Sequence, residues 1–172
     1  LWYDLAKGAV PANLKLPSNW TVAMGADTGT FMGAVVMAFD ENGHGFVLDE
    51  LTNYRYVGDQ IELEPDISLS NWADALKRKA AIWGTSALAW VDTNSQFKHE
   101  MWNHHGINLL GNNTGRVAMT EAARQAFQHG RIWLAPWLNL LPYELEHCMW
   151  PPEATSTGKF ERVKRNDHLV DG

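Results

Sequence analysis

The sequence predicts an α/β domain built on a mixed β-sheet, three antiparallel strands followed by parallel ones, with helices on both faces. Two patterns and a length carry this expectation. The N-terminal third holds three apolar, strand-like runs joined by short turns, and beyond residue 70 helical and strand-like segments alternate. The 172 residues fit one domain, since domains of about 100–200 residues are typical. Apolar residues make up 45% and charged residues 20%, values that exclude disordered and fibrous classes.

Residues 1–16, with Pro11 inside them and Pro17 just after, read as an N-terminal arm or interdomain connection, and 17–172 as the domain itself. Thr21–Asp27 is the first strand. Thr28-Gly29-Thr30 turns the chain into Phe31–Phe39, the second, and Asn42-Gly43 marks a hairpin into Phe46–Leu51, the third. Ser70 is placed to cap a helix running to about Trp83, with Trp72, Leu76, Ala80 and Trp83 on one face. Ser86–Val91 is a short buried strand that ends at Asp92. A second helix is expected over 114–129, stopped by Gly130. Arg131–Ala135 reads as a fifth strand and Leu140–Trp150 as a third helix, closed by Pro151-Pro152. Residues 153–166 have the alternation of a hairpin or flap.

Several classes of function fall away. A single cysteine, Cys148, excludes a disulfide framework and a Cys-rich zinc module, and it fits a reducing compartment. No apolar run approaches the roughly 18 residues of a membrane span, and the first residues lack a signal-peptide pattern. The expectation is a soluble intracellular domain, in which the sequons at Asn19 and Asn112 are chance. The net charge of −6 excludes a whole-domain basic field for nucleic acid. Basic residues cluster locally, at Lys77-Arg78-Lys79 and at Lys159, Arg162, Lys164 and Arg165.

The candidate chemistry is carboxylate chemistry. Asp27 and Asp92 each end an apolar strand, where a side chain can project into a cleft. Asp167, His168 and Asp171 lie on a short C-terminal segment; on a helix, His168 and Asp171 would share a face. Acids that converge repel one another, and a divalent ion relieves the repulsion. Oxygen donors suit Mg²⁺ or Mn²⁺, and two such ions can drive phosphodiester hydrolysis. Asp49 and Glu50, adjacent on the third strand, have both a structural and a metal-supporting reading. His99-Glu100-Met-Trp-Asn-His104-His105 departs from a zinc-protease helix by one residue too many before His104. Cys148 reads as a core thiol, and Trp72, Trp83, Trp90 and Trp133 as packing residues.

The order βββαβαβα with acids at strand ends resembles the ribonuclease-H-like plan. Gly25-Ala-Asp27-Thr-Gly29, Val47-Leu-Asp-Glu50, Val91-Asp92, Ile132-Trp-Leu, Tyr143-Glu144-Leu and Asn166-Asp-His-Leu-Val-Asp171 occur in an order that resembles the nuclease domain of tailed-phage terminase large subunits, the DNA-packaging motor proteins. The resemblance spans about residues 17–172, and the ending is its most specific part. It implies Asp27, Asp92 and Asp171 as metal-binding carboxylates with Asp167 and His168 beside them, and a metal-dependent endonuclease of little sequence preference. It implies two Mg²⁺ or Mn²⁺ ions, double-stranded DNA as substrate and no membrane partner; because the net charge disfavours DNA, the local basic residues Lys159, Arg162, Lys164 and Arg165 are the candidates to hold it. It also implies an ATPase domain, a portal and a small terminase subunit as partners in the full-length protein, acting in the host cytoplasm. Gly172 stands where the family usually has Ala, and the supporting helix beyond Asp171 is expected to be missing. No Gly-x-x-x-x-Gly-Lys-[Ser/Thr] loop occurs, so the motor half is expected to be absent. Two rivals remain at this point. Asp27-Thr28-Gly29-Thr30 also resembles the phosphate turn of actin-like ATPases and sugar kinases, and a non-catalytic docking domain would use the same aromatic surface.

Overall fold

The structure, a computed structural model, describes residues 15–27, 29–58, 60–65, 67–85, 88–91, 95–111 and 116–147. Its elements are β1 (Thr21–Asp27), β2 (Gly33–Phe39), β3 (Gly45–Thr52), β4 (Tyr54–Val57), β5 (Gln60–Leu63), α1 (Leu69–Trp83), β6 (Leu88–Val91), α2 (Ser95–His105), β7 (Asn108–Gly111), α3 (Arg116–Gln128), β8 (Ile132–Leu134) and α4 (Leu140–His147). The main sheet runs β7-β6-β1-β2-β3-β8. β1, β2 and β3 pair antiparallel, while β6 lies parallel to β1, β7 to β6, and β8 to β3. This is the mixed sheet of the ribonuclease-H-like plan.

The central position of β2 follows from its composition. Gly-Ala-Val-Val-Met-Ala-Phe is apolar on both pleat faces, and a strand covered on both sides needs no polar alternation. On one face Met24, Ala26, Ala34, Val36, Ala38, Phe46 and Leu48 meet Trp72, Leu76, Ala80 and Trp83 of α1 and Met101 of α2. On the other, Val35 and Val47 meet Ala135, Leu138 and Leu141 at the start of α4. Helices thus cover both faces.

The helix face read from Trp72, Leu76, Ala80 and Trp83 is buried along its length. The cap differs: Ser68, not Ser70, precedes the helix and accepts from the Asn71 amide at 3.2 Å. Ser68 stands three residues before that amide, within reach of its hydroxyl; Ser70 already lies inside the first turn. The hairpin at Asn42-Gly43 forms as its sequence demands, with Gly43 at φ 76° and the Asp40 carboxylate taking the amides of Asn42 and His44 at 2.8 Å. Two pairs of elements lie beyond the sequence reading, the β4–β5 hairpin and α2 with β7. Their strands have four residues each, too short for period-two alternation to register. Beyond His147 the expected end of the third helix and the 153–166 hairpin lie outside the described residues, as does Cys148.

Candidate active site

Asp27 is the last residue of β1, and the pairing pattern fixes its direction. Met24 and Ala26 belong to the α1 face, so Gly25 and Asp27 take the α4 face. Across the sheet Asp27 pairs with Gly33, and Gly25 with Val35. Its same-face neighbours along and across the strands are thus Gly25, two residues before it, and Gly33, opposite it. Asp27 as a residue is half-buried. On the other flank β6 runs parallel, with Gly25 opposite Trp90 and Ala26 opposite Val91. The end of a second strand therefore stands beside the end of the first.

The turn that follows Asp27 is clamped by a buried residue. The Asn53 side chain, 5% exposed, accepts from the Met32 amide at 2.6 Å and donates to the Thr30 carbonyl at 3.0 Å. Its backbone amide donates to the Met32 carbonyl at 3.1 Å. Asn53 sits between Thr52, the last residue of β3, and Tyr54, the first of β4. The Thr52 hydroxyl donates to the Tyr54 carbonyl at 2.8 Å, which fixes that junction. Sequence reasoning gave Asn53 no role, because its partners lie more than twenty residues away.

A second buried polar group holds the far side of this junction. Glu144 of α4 is fully buried, and its Oε1 accepts from the Tyr54 hydroxyl at 2.6 Å and the Tyr56 hydroxyl at 2.8 Å. Burial first, then the Glu144 carboxylate, keeps the Tyr54 hydroxyl protonated well above its ordinary range, and Tyr56 and Asp27 add to the effect. Aromatic rings surround the network: Phe31 meets Tyr54 edge-on at 6.0 Å, and Tyr143 packs on Tyr56 at 4.7 Å and on His147 at 4.0 Å. Tyr143-Glu144-Leu belongs to the quoted resemblance, but spacing alone assigned it no task.

Asp49 and Glu50 resolve into two structural roles on opposite faces. A β-bulge lets Val36 pair with Asp49 and Met37 with Val47, leaving Leu48 as the extra residue. Asp49 accordingly faces α1, where it accepts from Lys79 Nζ at 2.5 Å and Trp83 Nε1 at 2.8 Å. Glu50 faces α4 and accepts from the amides of Asn139, Leu140 and Leu141 at 2.8–2.9 Å. A carboxylate placed there satisfies amides that the helix leaves unpaired and complements its dipole. Both acids make hydrogen bonds that tie helices to the sheet.

Of the sequence-predicted site residues, Asp27 lies in the described structure. Asp92, Asp167, His168 and Asp171, and the basic residues Lys159, Arg162, Lys164 and Arg165, lie outside the described residues. Val91, beside Ala26, marks where the chain leaves β6. His99, His104 and His105 fall on α2, and among the described residues no three His, Cys, Asp or Glu side chains group as metal ligands. Lys79 of the first basic cluster is tied to Asp49, while Lys77 and Arg78 are exposed. Among the described residues no helix is long and apolar enough to cross a membrane.

Neither protein-family models nor curated proteins give a match to this sequence. Solved structures do. The nuclease domain of the g2p large terminase from bacteriophage SPP1, solved with bound Mn, superimposes with a TM-score of 0.64 at 17% identity, covering 98% of this chain and 85% of that one. A large terminase from a thermophilic bacteriophage gives 0.72 at 18% identity over 98% of this chain; the chain spans 41% of that longer protein. The large terminase nuclease from another thermophilic phage, G20c, with bound magnesium, gives 0.60 at 15% identity, covering 90% of this chain and 79% of that one. The fold is that of large terminase nuclease domains.

Proposed function

We propose that the chain is a divalent-metal-dependent DNA endonuclease with little sequence preference, which cuts concatemeric double-stranded viral DNA during genome packaging. The observation that carries the reading is the register at the centre of the sheet. β1 ends in Asp27 one residue after Ala26, and Ala26 stands opposite Val91, the residue before Asp92. Each of the two acids thus follows, in sequence, a residue of the paired couple Ala26 and Val91. The solved nuclease domains that share the fold include ones with bound Mn and bound magnesium.

The donor chemistry fits such ions. Asp27 offers hard carboxylate oxygen at a half-buried position, the donor type that suits Mg²⁺ or Mn²⁺. Asp27, Asp92, Asp171 and Asp167 would hold the metal, two ions in this reading, with His168 beside them. When bound, the ions activate water and stabilise the leaving oxygen of the phosphodiester. The chain's own part is to hold the turn after Asp27 in place, through the Asn53 clamp.

An acidic domain must hold an acidic polymer through a local basic rim, for which Lys159, Arg162, Lys164 and Arg165 are the proposed residues. Neutralising three or four phosphates gives a slope of roughly −3 in log affinity against log salt. Such binding is modest, so in this reading an ATPase domain, the portal and the small terminase subunit keep the nuclease on its substrate in the host cytoplasm.

The test is incubation with supercoiled plasmid and Mn²⁺ or Mg²⁺. Nicking or linearisation is expected, lost with EDTA, and reduced to background by Asp27→Asn with an unchanged circular dichroism spectrum. Cleavage by Asp27→Asn at the parent rate would remove Asp27 from the site.

A further inference from the structure

We infer that Glu144 is a positioning residue for Asp27, acting through Tyr54 and Asn53. The inference rests on the nuclease reading above and assigns to that site a support on α4. Its basis is a series of contacts that runs from Glu144 to the turn after Asp27. Glu144 Oε1 takes both phenolic hydroxyls, Tyr54 at 2.6 Å and Tyr56 at 2.8 Å. Tyr54 is 1% exposed and covalently follows Asn53. Asn53 grips Thr30 and Met32, the far end of the turn that starts at Asp27. Phe31, inside that turn, rests its ring against Tyr54.

The physical cost of this arrangement points to its use. A fully buried carboxylate is expensive unless its hydrogen bonds are satisfied, and apolar residues could have packed α4 against the β4–β5 hairpin at lower cost. What an apolar contact could not supply is direction. Two donors converging on one oxygen fix where the Tyr54 ring and backbone sit, and with them the Asn53 clamp. Asp27, at the other end of the clamped turn, is near enough for its charge to be felt at the Tyr54 hydroxyl. A ligand carboxylate held within a fraction of an ångström binds a cation better than one that swings, and supporting residues of this kind are worth about 10–100-fold in metal affinity.

The experiment is calorimetric titration of the 172-residue chain with Mn²⁺ alone, with thermal melts and the Mn²⁺ dependence of plasmid cleavage measured on the same samples. Glu144→Ala and Tyr54→Phe are each expected to raise the Mn²⁺ Kd about 10-fold or more. Glu144→Gln, which keeps an oxygen acceptor for both phenols, is expected to recover most of that loss. Leu76→Ala, on the opposite face, is expected to lower the Tm more than Tyr54→Phe does while leaving the Kd unchanged. Tyr54→Phe keeps the ring and decides the matter if Glu144→Ala fails to fold. Parent-like Kd values in folded Tyr54→Phe, or affinity losses that follow Tm across all variants including Leu76→Ala, would overturn the inference and leave the nuclease reading standing. A parent chain that neither binds Mn²⁺ nor cuts plasmid would overturn both.

Discussion

On the face of the sheet covered by α1 and α2, Met24, Ala26, Val36 and Leu48 pack on Trp72, Leu76 and Met101, and the ion pair of Asp49 with Lys79 lies at the margin. On the face covered by α4, a smaller apolar group around Val35, Val47 and Leu141 is bordered by Asp27, Glu50, Asn53 and Glu144. The first face is built chiefly by removing apolar area from water; the second is held largely by directed hydrogen bonds. Apolar packing tolerates small displacements at modest cost, whereas a hydrogen-bonded network specifies positions. Asp27, the proposed metal carboxylate, lies on the second face.

Substitutions on the two faces should therefore fail differently. The largest stability effect is expected from Trp72→Ala, which leaves a cavity where a fully buried ring stood. It should cost about 3–5 kcal/mol in denaturant melts while the folded fraction keeps its Mn²⁺ affinity. Loss of affinity in the folded fraction would mean that the faces are coupled through the sheet. Asp49→Ala comes next, at about 2 kcal/mol, because it strands a partly buried ammonium and an indole N–H. Lys79→Met in the same background should recover part of that loss in a double-mutant cycle.

Glu50→Ala removes the acceptor for the amides of Asn139 and of the first two residues of α4, and should cost about 1–2 kcal/mol, comparable to a lost helix cap. Amide exchange should rise at Asn139–Leu141 and not in α1; equal rises in both helices would blur the distinction between the faces.

The smallest effect lies at the far end of the sheet. Desolvation tends to raise the Asp40 carboxyl, but the amide and ring of His44 and the amide of Asn42 outweigh it and hold the group below its usual range. A depressed folded-state pKa means stability that is present above the unfolded value near 4 and is lost as pH falls through the folded value. Asp40→Asn should flatten that acid limb of the stability profile without altering metal binding at neutral pH.

The sequence made some of these features legible and hid others, for physical reasons. Local patterns gave the Trp72–Trp83 helix face, the Asn42-Gly43 hairpin and the three opening strands, because each rests on residues within a few positions of one another. Asp27 was legible as an acid ending an apolar strand. The β-bulge at Leu48 was not: simple alternation over Val47-Leu48-Asp49-Glu50 puts Asp49 on the Val47 face, and the extra residue exchanges the two acids. The partners of Glu50 and Glu144 lie about ninety residues away, so no local signal announces them. Asn53 was silent for the same reason, and the β4–β5 hairpin because its four-residue strands are too short for alternation to register.

The central claim is that the strand end carrying Asp27 is a cation site shared with Asp92. Crystals soaked in Mn²⁺ and measured at the manganese edge test it most directly. Anomalous density is expected within about 2.0–2.3 Å of oxygens of both Asp27 and Asp92. Manganese at His99, His104 and His105, with none at Asp27, would contradict it.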